Sequence, residues 1–288
     1  MSNYVIMTDS GCDISEKVLN EWGVKYACLT FMFDGEEEIY SNYDLDSKVF
    51  YDQMRAGKIA RTSAINSETF KDLFEEELAA GNDVLYLAFS SGLSTTYNSA
   101  RIAAEELSEK YPDRKICVID TLAASAGQGL LVYLAVEKKN SGATIDELSQ
   151  YMSEICPKMC HWFTVDDLVY LKRGGRVSAA AALLGAALGI KPVLHVDDEG
   201  HLINVSKVRG RKNALKAIVD KYEELALEPN SGVVYICNAD CSDDVDVMKQ
   251  MLKERFGAEV KYVADIGPVI GAHAGPGTIA LFFLGKAK

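Results

Sequence analysis

Residues 84–107 read VLYLAFSSGLSTTYNSARIAAEEL, a strand that passes through a hydroxyl-crowded turn into a helix. The same order recurs along the first half of the chain. YVIMTDS is followed by SEKVLNEW, a helix opened by Ser15, and VKYACLTFMF, a strand or strand pair, by DSKVFYDQMRAG, a helix closed by Gly57. ETFKDLFEEELAAG sets Phe70, Leu73, Phe74 and Leu78 on one helical face, and KICVIDT runs into SAGQGLLVYLAVEKKNSG. Strands separated by helices through short connections predict an α/β fold with a mostly parallel, doubly wound sheet.

The pattern changes near residue 160. CHWFTVDD and KPVLHVDDEGHLINVSKV read as strands, the second as a hairpin over DDEG. The helix RKNALKAIVDKYEELAL, the strand GVVYICNA, the helix VDVMKQMLKERFG and the strands AEVKYVADIG and GTIALFFLG follow. A second α/β unit with a mixed sheet is expected, so that residues 1–160 form one domain and 161–288 another.

Charge and composition narrow the function. A net charge of −12 argues against a generic nucleic-acid binder, because most of the surface repels phosphates. No basic leader with an apolar stretch opens the sequence, and VSAAAALLGAALGI is too short and too rich in Ala and Gly to span a bilayer, so the cytoplasm is expected. Seven scattered cysteines suit a reducing compartment, and the spacings Cys156/Cys160 and Cys237/Cys241 are looser than those of most zinc pairs. No metal or cofactor is expected.

The serine turn, Ser90 to Thr96, lacks the lysine of a P-loop, the three glycines of a dinucleotide fingerprint and the Gly-x-Ser-x-Gly of a nucleophile elbow. Neutral hydroxyls and backbone N–H groups at a helix start remain, which suits a monoanion or simply a cap from Ser94 or Thr95. ARTSAINSETF adds Thr62 and Ser63 in an irregular stretch, with Asn66 or Ser67 free to cap the next helix. IGPVIGAHAGPGTIALFF reads as a glycine-rich loop carrying His273 where backbone can approach a ligand. Asp120 and Thr121 suit capping, as does Asp13; Asp9 with Asp13 lacks the further carboxylates of a metal-assisted phosphatase. LKRGGR and SKVRGRKN gather Lys172, Arg173, Arg176, Lys207, Arg209, Arg211 and Lys212, read as helix-end pairing with a solvated loop or as a docking surface.

In order, MTDSGCDIS, RTSAINSETF, YLAFSSGLSTTYNSA, VIDTLAASAGQG, LVYLKRGGRVSAAAALLGAALGIKPVL and IGPVIGAHAGPGTIALFF resemble the DegV family of bacterial fatty-acid-binding proteins over essentially the whole chain. The family's usual Thr-Ser-Gln-Pro-Ser keeps Thr62 and Ser63 here but carries Ala64, Ile65 and Asn66, and its Ser-Gly-Thr-Tyr stands as Ser94-Thr95-Thr96-Tyr97. The resemblance implies a two-domain α/β protein with one long-chain fatty acid in a buried tunnel between the domains. It implies that Thr62 and Ser94 hold the carboxylate, with Ser63 and His273 in the surrounding polar network. It also implies a non-catalytic carrier that presents the acid to a separate ATP-dependent fatty acid kinase for acyl phosphate formation and lipid metabolism. Arg173, Arg176, Arg209 and Arg211 would then dock that partner, and SAAAALLGAALGI would leave room for the tail. The alternatives are a hydrolase or phosphotransferase acting on a small carboxylate or phosphate, and a structural module with neither ligand nor activity.

Overall fold

The computed structural model describes residues 3–178 and 189–288. In chain order the elements are β1 (Tyr4–Asp9), α1 (Glu16–Glu21), β2 (Lys25–Ala27), β3 (Thr30–Phe33), β4 (Tyr40–Ser41), α2 (Ser47–Arg55), β5 (Ala60–Ser63), α3 (Ser67–Ala79), β6 (Asp83–Ala88), α4 (Thr96–Lys110), β7 (Ile116–Asp120), α5 (Ser125–Asn140) and α6 (Ile145–Ile155). They continue with β8 (Met159–Thr164), α7 (Val169–Arg173), β9 (Ile190–Val196), β10 (Leu202–Arg209), α8 (Arg211–Leu225), β11 (Val234–Asn238), α9 (Ser242–Phe256), β12 (Val260–Asp265), α10 (Pro268–Ala274) and β13 (Ile279–Leu284). The small-residue stretch read as room for a tail falls mostly on 179–188, outside the described residues.

Among the described residues three sheets form. The first is parallel, in the order β2-β1-β6-β7, with α5 and α6 covering one side and α3 and α4 the other. The second is a short antiparallel sheet, β4-β3-β5. The third has the order β10-β9-β8-β13-β11-β12 and is antiparallel except where β11 meets β12. The α/β class and the mixture of a parallel and a mixed sheet agree with the sequence reading, and so does the β9–β10 hairpin.

Local signals place several helices. The Ser15 hydroxyl accepts from Val18 N at the start of α1, and the Asn66 side chain accepts from Thr69 N at the start of α3. Thr144 and Glu147 exchange hydrogen bonds as a capping box on α6.

Of three local readings, the first is settled between its two alternatives and the other two change. The apolar run 24–33 is two strands in two different sheets, divided at Cys28 and Leu29, where Leu29 N donates to the Ser10 hydroxyl. The irregular stretch expected at Thr62 is a strand, held by antiparallel pairing of Phe31 with Thr62 rather than by an apolar alternation of its own. The glycine-rich loop expected around His273 is helix α10, with Pro268 in its first turn.

Period-two alternation divides the six-stranded sheet into two unlike faces. Cys160, Trp162, Ile236, Ile279, Leu281 and Phe283 pack with Leu215, Ile218 and Tyr222 of α8 and Met248 and Leu252 of α9. Phe163, Cys237, Ala280 and Phe282 belong instead to the core that reaches β1 and β6 through α5. Helix α5 lies between the two larger sheets and is buried continuously from Ser125 to Val132. Gly127 sits in this helix because a Cβ there would collide with the rings of His161 and Phe282.

Asp13 ties these layers together. Fully buried and left-handed (φ 50°), it accepts from the Ser125 hydroxyl at 2.5 Å and from Gly267 N at 2.9 Å. Burial pushes its carboxyl up to about 8, against the pull of the Ser125 hydrogen bond. The folded chain therefore keeps a proton that the unfolded chain releases, so this group costs stability progressively as pH rises from about 4 to about 8. Asp13→Asn keeps an acceptor for Gly267 and removes that cost. Melting temperatures measured across this pH range should show the variant gaining on the wild type as pH rises; a constant difference would contradict the assignment.

Candidate ligand-binding site

The C-terminal ends of the parallel strands open toward the inner face of the six-stranded sheet, the position where open α/β sheets bind ligands. A cavity of about 310 Å³ lies there. Its floor is His161, Phe163, Ala280, Phe282 and Cys237 from the sheet, with Val196 and Leu202 from the hairpin. Leu29, Phe89 and Ala124 enter from beyond the ends of β2, β6 and β7, and Val269, Ile270 and Ala274 from α10. Most of the wall is therefore apolar.

The serine turn is fixed from several sides. Phe89 N and the Tyr86 hydroxyl donate to Asp9, Ser91 N donates to Asp120, and the Ser90 hydroxyl donates to Gly200 O at 3.0 Å. Asp9 and Asp120 thus hold backbone in place, and Thr121 likewise donates to Ala88 O. Thr95 takes the cap position of α4 with no side-chain bond, while the Ser94 hydroxyl accepts from Thr96 N at 3.2 Å and meets the Thr96 hydroxyl at 2.9 Å. When Thr96 donates to it, Ser94 keeps its own hydrogen for a ligand.

Thr62 and Ser94 both line the cavity, and His273 and Arg176 join them. Thr62 Oγ1 lies 2.8 Å from His273 Nε2. Burial, reinforced by the nearby Arg176 charge, pulls the His273 imidazole down to about 4, so the ring is neutral. Its Nδ1 is buried without a partner among the described residues. Orphaned N–H groups are rarer than orphaned acceptors, which places the ring proton on Nε2, donating to Thr62. The Thr62 hydroxyl hydrogen is then free to point into the cavity.

The expected site residues divide. Ser63, one residue along β5, is exposed and does not line the cavity, because side chains alternate across a strand. Arg176, expected on a docking surface, is half-buried and lines the cavity; its Nε and one terminal nitrogen donate to Leu93 O at 3.1 and 2.9 Å, and the other terminal nitrogen to Gly174 O at 2.5 Å. Two of its five N–H donors remain among the described residues. Arg211 is also half-buried, donating to Gly277 O at 2.6 Å and pairing with Asp244 at 2.8 Å, which anchors the turn after α10. Arg173 and Arg209 are exposed, with Arg173 5.6 Å from the Tyr170 ring centroid. The glycines beside Arg176 were the available sign of its role: Gly174 lets that turn lie against the His273 ring, where any Cβ would collide.

Comparison with known proteins agrees with this architecture. The DegV family profile, described as an uncharacterised protein family, matches residues 3–286. The chain belongs to the DegV family. A DegV domain-containing protein of Clostridium perfringens is 44% identical over 100% of this chain and 99% of its own length. Among solved structures, a Thermus thermophilus DegV protein described as fatty-acid binding superposes with a TM-score of 0.88 at 29% identity, covering 99% of this chain and 100% of its own. A Eubacterium ventriosum protein described as binding stearic acid gives 0.87 at 27% identity, covering 98% of each chain. The parallel and mixed sheets described above are thus the DegV fold. Among the described residues no helix is long and apolar enough to cross a membrane.

Gly174→Ala should displace the His273 ring and with it the Thr62 contact. Nuclear magnetic resonance of the imidazole should show shifts changed from the wild type, with the fold retained by circular dichroism. Unchanged imidazole shifts would separate Gly174 from the placement of His273.

Proposed function

We propose that the chain binds one long-chain fatty acid, its tail in the apolar cavity and its carboxylate at Thr62 and Ser94. The observation that carries this reading is the convergence of Thr62, Ser94, His273 and Arg176 on one cavity that is otherwise apolar. Two neutral hydroxyls donate to the carboxylate, His273 orients Thr62, and the remaining Arg176 donors supply the positive charge that a buried anion needs. Arg176, expected from the sequence on a docking surface, joins the hydroxyls from the cavity wall. Buried methylenes contribute about 0.8 kcal/mol each, so a tail of roughly sixteen carbons offers on the order of 10 kcal/mol before ordering costs. Affinity then resides in the tail and orientation in the head.

The same reading makes the protein a carrier rather than a catalyst. It would hand the acid to a separate ATP-dependent kinase, with exposed Arg173 and Arg209 as the contact residues. With residue 160 taken as the domain boundary, the cavity would lie between the two domains, since the six-stranded sheet starts at Met159.

Thr62→Ala combined with Ser94→Ala should weaken fatty-acid binding on the order of a hundredfold while leaving the fold intact. Titration with stearate checks this, and an unchanged dissociation constant would refute the head-group assignment. Charge reversal at Arg209 should leave stearate binding near wild type. With a partner kinase it should slow acyl phosphate formation and make that rate more salt-sensitive. Lost lipid binding instead would place Arg209 in the pocket.

A further inference from the structure

Besides His161, Thr278 and Thr95, which stands next to Ser94 at the start of α4, the polar groups on the cavity wall fall into two sets, and the carboxylate uses only one of them. Thr62, Ser94, Arg176 and His273 form the first, on β5, the serine turn, the end of α7 and α10. Ser125 and Cys237 form the second, at the start of α5 and on β11, and both are buried. Ser125 is held at φ 53°, a conformation that costs energy for any residue other than glycine, yet a serine stands there. Its hydroxyl lies 2.5 Å from Asp13 Oδ2 and 3.2 Å from Cys237 Sγ. Asp13, itself at positive φ, stands behind it away from the cavity wall. Two other polar side chains on the wall are already committed. His161 uses Nδ1 on Met159 O and Nε2 on Ala124 N, and Thr278 donates into the end of α10.

A purely hydrocarbon tail has no use for such a group. Burying any chain oxygen in an apolar tunnel without a partner weakens binding on the order of tenfold or more. Ser125 relieves that cost at one place. Its hydrogen goes to Asp13, or to Cys237 when the protonated Asp13 carboxyl donates to it, and in either arrangement its oxygen keeps an acceptor lone pair, which matches the O–H of an alcohol. We infer that Ser125, backed by Asp13 and flanked by Cys237, is a second polar subsite that receives a hydroxyl group on the chain of the bound acid. The ligand class is a monohydroxy long-chain fatty acid. This inference rests on the fatty-acid reading above and names its substrate more closely.

The test is a titration of stearic acid and its monohydroxy positional isomers against the wild type, Ser125→Gly and Ser125→Ala. Glycine suits the left-handed backbone at this position, so the first variant removes the hydroxyl without adding strain. One isomer, hydroxylated away from the carboxyl end, should bind the wild type within about threefold of stearate while the others bind about tenfold more weakly. Both variants should bring that isomer down to the level of the others and leave stearate affinity near wild type. Equal weakening of every isomer in wild type and variants, with stearate still bound, would overturn the subsite alone. Failure of the wild type to bind stearate would overturn the fatty-acid reading and the subsite with it.

Discussion

The hydrogen bond between Thr62 and the neutral imidazole of His273 is the contact on which the site depends. It joins a short strand, β5, to a short helix, α10, more than two hundred residues later, and neither element is secured by its own sequence. Strand β5 exists through its pairing with β3, and α10 through its packing on β3, β5 and α2. The Tyr51 hydroxyl donates to Ile266 O at 2.8 Å just ahead of that helix, and Asn42 accepts from Val269 N in its first turn. Thr62 and His273 are thus held in register by long-range packing.

A cavity in a protein interior survives only if its walls are braced from outside. Here each wall has a separate core behind it. The six-stranded sheet is backed by α8 and α9, and the serine turn belongs to a cluster built on Phe70, Phe74, Tyr86 and Ala103. The hydrogen bond from Ser90 to Gly200 joins the turn to the hairpin across the cavity's edge. Alternation along β8 and β13 then supplies a smooth apolar floor at no further cost, since the opposite face of the same strands is already packed.

Much of this order was legible in the residues. The change from strand to helix around the serine turn, the caps at Ser15 and Asn66 and the hairpin over Asp197 to Gly200 are local events, decided within a few residues of chain. The grouping of the hydroxyl clusters with His273 came only from the family resemblance, not from any local pattern. What escaped was non-local. β5 has no alternation of its own, α10 carries Gly271 to admit Tyr51 and is flanked by Gly267 and Gly275, so that it mimics a loop, and Ser63 is turned away from the cavity by the strand's two-residue period. Arg176 looked like surface charge because its partners, the carbonyls of Leu93 and Gly174, carry no side-chain signature.

The proposed carboxylate position lies where Thr62, Ser94, Arg176 and His273 converge, with the tail running over the Phe163 and Phe282 floor. A crystal structure of the chain with stearate tests it most directly. Both carboxylate oxygens should lie within hydrogen-bonding distance of the Thr62 and Ser94 hydroxyls, with the hydrocarbon enclosed between the sheets. A carboxylate found at Ser125, or a stearate lying outside the cavity, would contradict it.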